Sequence, residues 1–449
     1  MSNDLSRRAF LAGVSATVCA LPNRGRAAEA PRGLAARPGA ATTGQLPATA
    51  ILGFDGVTPG PLLRYRQGDT LNVRFDNGLK LPATIHWHGM RGDNAMEGVA
   101  PLTQSAVAPG AGFDYRRALP EPGLFLYRPS VYGKTPELMG RGLKGLLIVD
   151  ETTPLEADVD LAVALDDWRL DPRGQFVEDF GALSASQGES RTQTQLIVNG
   201  GPSPAVHGAR PGARVRLRLA NLAGARLMML TFDGVQPFVI AIDSQPCDAF
   251  EPVRRSIPVA PGARFEVMFD MPESEGARAR LIMRDPNGAD RDLVVVTAKG
   301  VKVNKRDKIS GLPQNPTLPP EIKLANARKL DLIISPPAKS SGSLWTINGV
   351  QTGGYGGAPL FRVKTGTPVS LGFVNRSPVH LAMHAHGQAM RLLHDLDDGW
   401  EPYWRNGVIV PPGKTKHVAF VADAPGKWAL HDDILEHEAA GLATWFEID

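Results

Sequence analysis

The chain has 449 residues, of which 49 are Lys or Arg, 46 are Asp or Glu and 43% are apolar. That is ordinary for a soluble globular protein and long enough for about three domains of ~150 residues. With a formal charge of +3 and no basic run interleaved with aromatics, a nucleic-acid-binding role is excluded.

From the N-terminus, Ser6-Arg7-Arg8-Ala9-Phe10-Leu11 forms a twin-arginine pattern. The apolar stretch Ala9 to Leu21 follows, and Arg26 to Ala30 offers small residues for cleavage. Residues 1–30 are therefore expected to be a twin-arginine signal peptide that delivers the protein to the periplasm. The apolar stretch is too short to span a bilayer, and no later segment reaches the ~18 residues needed. Of the two cysteines, Cys19 leaves with the signal, so Cys247 has no internal disulfide partner.

Gly 48 and Pro 38 punctuate many short strand patterns, the grammar of sandwiches or barrels. Gly68 to Phe75 alternates apolar and polar residues after a turn, as a half-buried strand does, and Gly142 to Val149 reads as a fully buried strand. A second unit opens near Thr152, with Leu196-Ile197-Val198-Asn199-Gly200 and then the alternating Pro211 to Asn221. Trp345 to Gly349 and Gly366 to Asn375 repeat that order, which points to copies of one β-sandwich. The expected domains are 31–150, 151–300 and 331–449, with a Lys-, Pro- and Asn-rich linker at 301–330.

The ten histidines are unevenly placed. His86-Trp87-His88-Gly89 and His384-Ala385-His386-Gly387 each put two imidazoles on one face of a strand, because side chains repeat with period two. Imidazoles converging from two strands suit copper or zinc. His431 and His437 form a further pair near the C-terminus, whereas His207, His380, His394 and His417 carry no such pattern.

With Glu97-Gly98-Val99, Gln104 and Ala108-Pro109-Gly110 after the first pair, and His431 to Gly441 at the end, the chain resembles the multicopper oxidases. Tyr127 to Val149, Asp166-Asp167-Trp168, Ala260-Pro261-Gly262 and Trp345 to Gly349 extend the likeness over residues 46–449. The resemblance implies an all-β chain of three tandem cupredoxin-like Greek-key β-sandwich domains. It also implies a type 1 copper that takes up electrons and a trinuclear cluster, with copper as the cofactor.

At the type 1 position this chain departs from the family. Asp432 stands where the cysteine thiolate should be, Leu381 replaces a histidine, Leu442 is at the axial position, and only His437 remains. The cluster motifs are also altered: Arg128 and Ser130 stand in the second, and Asp433 in the fourth. The expected metal ligands are His86, His88, His384, His386 and His431, holding one or two copper ions or none. Arg128 and Asp433, oppositely charged at two ligand positions, should converge as an ion pair where a copper would sit. Laccase-type turnover is not expected. The alternative is a copper-free periplasmic scaffold for a protein partner, similar to the twin-arginine-exported cell-division protein of this superfamily. A monomer is expected.

Overall fold

The computed structural model describes residues 30–449 apart from 45–46, 188–193, 286–287, 305, 337–343, 352 and 395–398. The twin-arginine pattern and its cleavage region, up to residue 29, lie outside the described residues.

Six β-sheets form three pairs along the chain. The first pair has four strands in each sheet, the second seven and five, and the third six and five. Each pair encloses its own apolar cluster, centred for example on Leu71, Val73 and Phe75, on Val215, Leu217 and Leu219, and on Val369, Leu371 and Phe373. These triplets are the inward-facing residues of strands Thr70–Asn77, Arg214–Asn221 and Pro368–Asn375. Each strand pairs in parallel with the first strand of its unit.

All three strands end on the same device. Asn77, Asn221 and Asn375 each accept from the backbone N–H two residues on, and each donates from Nδ2 to at least two backbone carbonyls across the corner. A buried amide that satisfies three backbone groups closes the sandwich at that corner without leaving a polar orphan. The tight turns repeat too: Asp55-Gly56, Asn199-Gly200 and Asn348-Gly349 all have left-handed φ at both positions, as two-residue hairpin turns require.

The units are packed against one another. Leu124, Leu126, Leu146 and Ile148 of the first meet Ala164, Ala220 and Leu222 of the second, and Val99 meets Tyr355, Ala429 and Ala443 of the third. Between the second and third units, residues 299–327 run without a strand among the described residues. Leu312 packs on the second unit and Ile322 on the third.

Candidate metal centre

The two His-x-His strands are His86–His88 and Leu381–Ala385, the latter followed directly by His386. Strand Gly123–Arg128 pairs with the first, bringing Arg128 opposite His86. Strand Gly426–Asp432 pairs with the second, bringing His431 opposite His384. Five imidazoles from the first and third units thereby form one buried cluster. His86 stacks on His386 at 4.3 Å, the His88 ring lies tilted over His384 at 4.3 Å, and His431 is 4.8 Å from His386.

Each ring is oriented by its second nitrogen. His86 Nδ1 donates to the Glu97 carbonyl at 3.1 Å, and His384 Nδ1 to the Asn406 carbonyl at 2.7 Å. Both rings therefore present a bare Nε2 lone pair, and both Nε2 atoms are buried without a hydrogen-bond partner. Burial, followed by Arg128 and the neighbouring imidazoles, holds His86, His88, His384 and His386 well below the usual histidine range, so they are neutral. Neutral, carbonyl-oriented imidazoles with free lone pairs are the form that ligates a metal.

The ligand atoms of His86, His88 and His384 lie within 4.8 Å of one another. His88 nevertheless differs from the other two. Its Nδ1 accepts from Arg128 Nη2 at 3.1 Å and its Nε2 donates to the Gly262 carbonyl at 3.1 Å. Both nitrogens are hydrogen-bonded, so His88 would ligate a metal only by giving up one of these contacts.

Arg128 and Asp433 do converge, with Nη2 2.6 Å from Oδ1 and both side chains buried. The guanidinium also reaches Met139 Sδ at 3.7 Å. Ser130 is buried, with its backbone N–H tied to the Thr84 hydroxyl at 3.1 Å.

His386 and His431 face each other through Nε2 atoms 2.6 Å apart, a hydrogen bond that needs one shared proton. His431 Nδ1 donates to the Asp432 carbonyl at 2.9 Å, so its Nε2 accepts and His386 donates. His386 Nδ1 then accepts from Glu97, 2.7 Å away. Burial pushes the Glu97 carboxyl up to about 8, so it carries the proton this arrangement requires. Glu97 entered the sequence reading only as part of a motif; its place beside His386 comes from a loop no periodicity describes.

At the expected type 1 position, His437 Nδ1 donates to Asp432 Oδ2 at 2.8 Å, while Oδ1 accepts from the N–H groups of Ala382 and Ile434. Leu381 and Leu442 are fully buried in the apolar core beside them. Cys247 lies in strand Gln245–Phe250 of the second unit, packed in that unit's core.

Paired β-sandwiches around a shared imidazole cluster define a cupredoxin-type protein. Residues 36–154 and 320–449, over half the chain together, match family models described as multicopper oxidase. The multicopper oxidase MmcO of Mycobacterium tuberculosis is 26% identical over 96% of this chain and 89% of its own. Among solved structures, a multicopper oxidase from Pseudomonas thermotolerans superposes with a TM-score of 0.83 at 28% identity, covering 93% of this chain and 98% of its own. Lac15, from a marine microbial metagenome, is 30% identical with a TM-score of 0.77, covering 93% of this chain and all of its own. The chain belongs to the multicopper oxidase family.

Proposed function

We propose that the protein binds one copper ion between His86 and His384 and carries no electron-entry copper, so that it does not turn over as a laccase. The observation that carries this reading is the pair of buried, partnerless Nε2 atoms on neutral rings, each fixed by a backbone carbonyl. No other pair in the cluster is so disposed. His88 is engaged by Arg128, and His386 and His431 are engaged with each other. A copper ion held there would supply a mononuclear centre for redox or Lewis-acid chemistry. Loss of the electron-entry site is supported by Asp432, Leu381 and Leu442, which offer neither a thiolate nor a second imidazole to His437.

The same reading makes this an exported, periplasmic protein, on the strength of Ser6 to Leu11 and the apolar stretch after it. No helix among the described residues is long and apolar enough to cross a membrane.

Copper titration of the purified protein, followed by electron paramagnetic resonance, tests the proposal. One equivalent of mononuclear Cu(II), lost in His86→Ala and in His384→Ala, is the expected result. An intense thiolate-to-copper band would overturn it. Absence of stoichiometric copper would favour the second reading, a copper-free scaffold with a protein partner. That reading draws on the Arg128–Asp433 and His386–His431 contacts, which satisfy much of the centre without a metal.

A further inference from the structure

The middle unit supplies none of the five clustered histidines, yet two of its turns end inside the centre. One is Asp243-Ser244, the two-residue connection between strands Phe238–Ile242 and Gln245–Phe250. Both residues have left-handed φ, 48° and 69°, and both are buried. Hairpin turns of this hand prefer Asn and Gly, because a β-carbon crowds the backbone there. An Asp-Ser pair in that conformation is compensated by what the two side chains reach.

Ser244 donates its hydroxyl to the Leu124 carbonyl on strand Gly123–Arg128 of the first unit. Asp243 Oδ1 accepts the Arg264 N–H at 3.1 Å within the second unit. Asp243 Oδ2 accepts the N–H groups of Asn406 at 3.0 Å and Gly407 at 3.3 Å in the third. Asn406 is the residue whose carbonyl holds His384 Nδ1. Gly407 pairs with His384 across the strands.

The other turn is Pro261-Gly262-Ala263. The Gly262 carbonyl accepts from His88 Nε2 at 3.1 Å and from Arg264 Nη1 at 2.6 Å. Arg264 Nε also donates to the Leu124 carbonyl at 3.1 Å, and Arg264 Nη1 lies 3.8 Å from Asp243. A buried Asp–Arg pair of the second unit thus touches the partners of one histidine from each outer unit.

We infer that Asp243 is a positioning residue for the metal centre. Its carboxylate fixes the backbone at Asn406 and Gly407, so that the Asn406 carbonyl keeps His384 in one tautomer with its Nε2 lone pair turned toward His86. The Ala385 N–H reaches the same carbonyl at 3.3 Å, pinning it from the strand side, and the carboxylate pins the chain on the other side. Partners one step beyond a ligand, here the Asn406 carbonyl, commonly tune metal affinity 10–100-fold, and Asp243 acts through that partner. The metal part of this inference rests on copper binding at His86 and His384.

Asp243→Gly and Asp243→Asn separate positioning from turn formation. Both replacements tolerate left-handed φ, so the hairpin survives and only the carboxylate is lost. The expected result is cooperative unfolding at a lower midpoint, because Arg264 loses its carboxylate, with copper affinity lowered by about 10-fold, the low end of that range, and an altered Cu(II) hyperfine pattern. Asp243→Asn, which keeps one acceptor oxygen, should show the smaller loss. Unchanged affinity and spectrum in both variants would overturn the inference.

A metal-free readout keeps the two proposals apart. Nitrogen-15 shifts of labelled histidine should show His384 as a single Nδ1–H tautomer in the wild type and as a mixture in Asp243→Gly. If the wild type takes up no copper, the copper reading fails by itself. A single tautomer retained in Asp243→Gly would overturn the positioning role whether or not copper binds.

Discussion

The guanidinium of Arg128 bridges Asp433 and His88, 2.6 Å from the Asp433 carboxylate and 3.1 Å from His88 Nδ1. One nitrogen of a fixed cation thereby meets both an anion and an imidazole lone pair, which is electrostatically what a metal ion would do. Breaking such a buried pair from one side strands a charge, whereas replacing both sides with apolar groups does not. Arg128→Met should therefore destabilise the protein by about 3–5 kcal/mol in denaturant unfolding. Arg128→Met/Asp433→Leu should recover most of that loss, and a double variant as unstable as the single one would contradict the argument.

The same geometry predicts how a further metal position would be opened. In Arg128→His/Asp433→His the cation is removed from His88 Nδ1 and two imidazoles are added around it. Three neutral imidazoles make a competent copper or zinc site. Metal analysis should give one equivalent more than the wild type, while Arg128→His alone should add none.

Asp432 occupies its pocket as a hydrogen-bond acceptor for Ala382, Ile434 and His437. Asp432→Cys would introduce a thiol but leave Leu381 where a second imidazole is needed. It should show no thiolate-to-copper band on copper addition and should lose about 1–3 kcal/mol from the stranded donors. Leu381→His/Asp432→Cys is the smallest change expected to produce the band.

The metal-free protein should be most stable near neutral pH. Burial keeps His86, His88, His384 and His386 from protonating, so below about pH 6.5 the unfolded chain binds more protons than the folded one. Stability then rises with pH across that window, by up to about 1.4 kcal/mol per pH unit for each ring. Glu97 acts in the opposite sense. Its carboxyl, pushed up to about 8, holds a proton the unfolded chain has already lost, so stability falls as pH rises toward that value. Denaturation midpoints should climb from about pH 5 to about pH 6.5 and then decline toward pH 8. Glu97→Gln should remove the decline and leave the climb.

Gly262 has φ 77°, and a β-carbon built on it would lie 2.7 Å from Asp433 Oδ2 and 2.9 Å from His88 Nε2. Gly262→Ala combines backbone strain of about 1–3 kcal/mol with that collision. The variant should melt measurably lower than Gly110→Ala. Gly110 occupies the like turn of the first unit, with φ 76° but open space around it. Equal losses in the two would leave backbone strain as the whole effect.

Much of this could be read along the chain, because strands, Asn-Gly turns and His-x-His pairs are local patterns. Asp55-Gly56, the first-unit counterpart of Asn199-Gly200, carries no distinct sequence signal, since Asp is also an ordinary surface residue. The Arg128–Asp433 pair was legible because opposite charges stood at two positions that converge by resemblance. Spacing places the His88 ring on the same face as His86, beside His384, but does not report that both of its nitrogens are hydrogen-bonded. Asp243 and Arg264 reach backbone groups of the outer units and Gly262 offers its own carbonyl to His88; Ala260-Pro261-Gly262 stands out only as part of the family likeness, and no side-chain motif marks these contacts.

Arg128 and Asp433 are 305 residues apart, and a turn of the middle unit bonds to Leu124 of the first unit and to Asn406 of the third. The chain is closed on itself like an arch, its two ends joined at the centre and braced by the middle unit. The cluster thus joins contacts between the first and third units with contacts from the middle unit to both. Unfolding should therefore register as one transition, and the environment of the buried imidazoles reports on the integrity of the whole molecule.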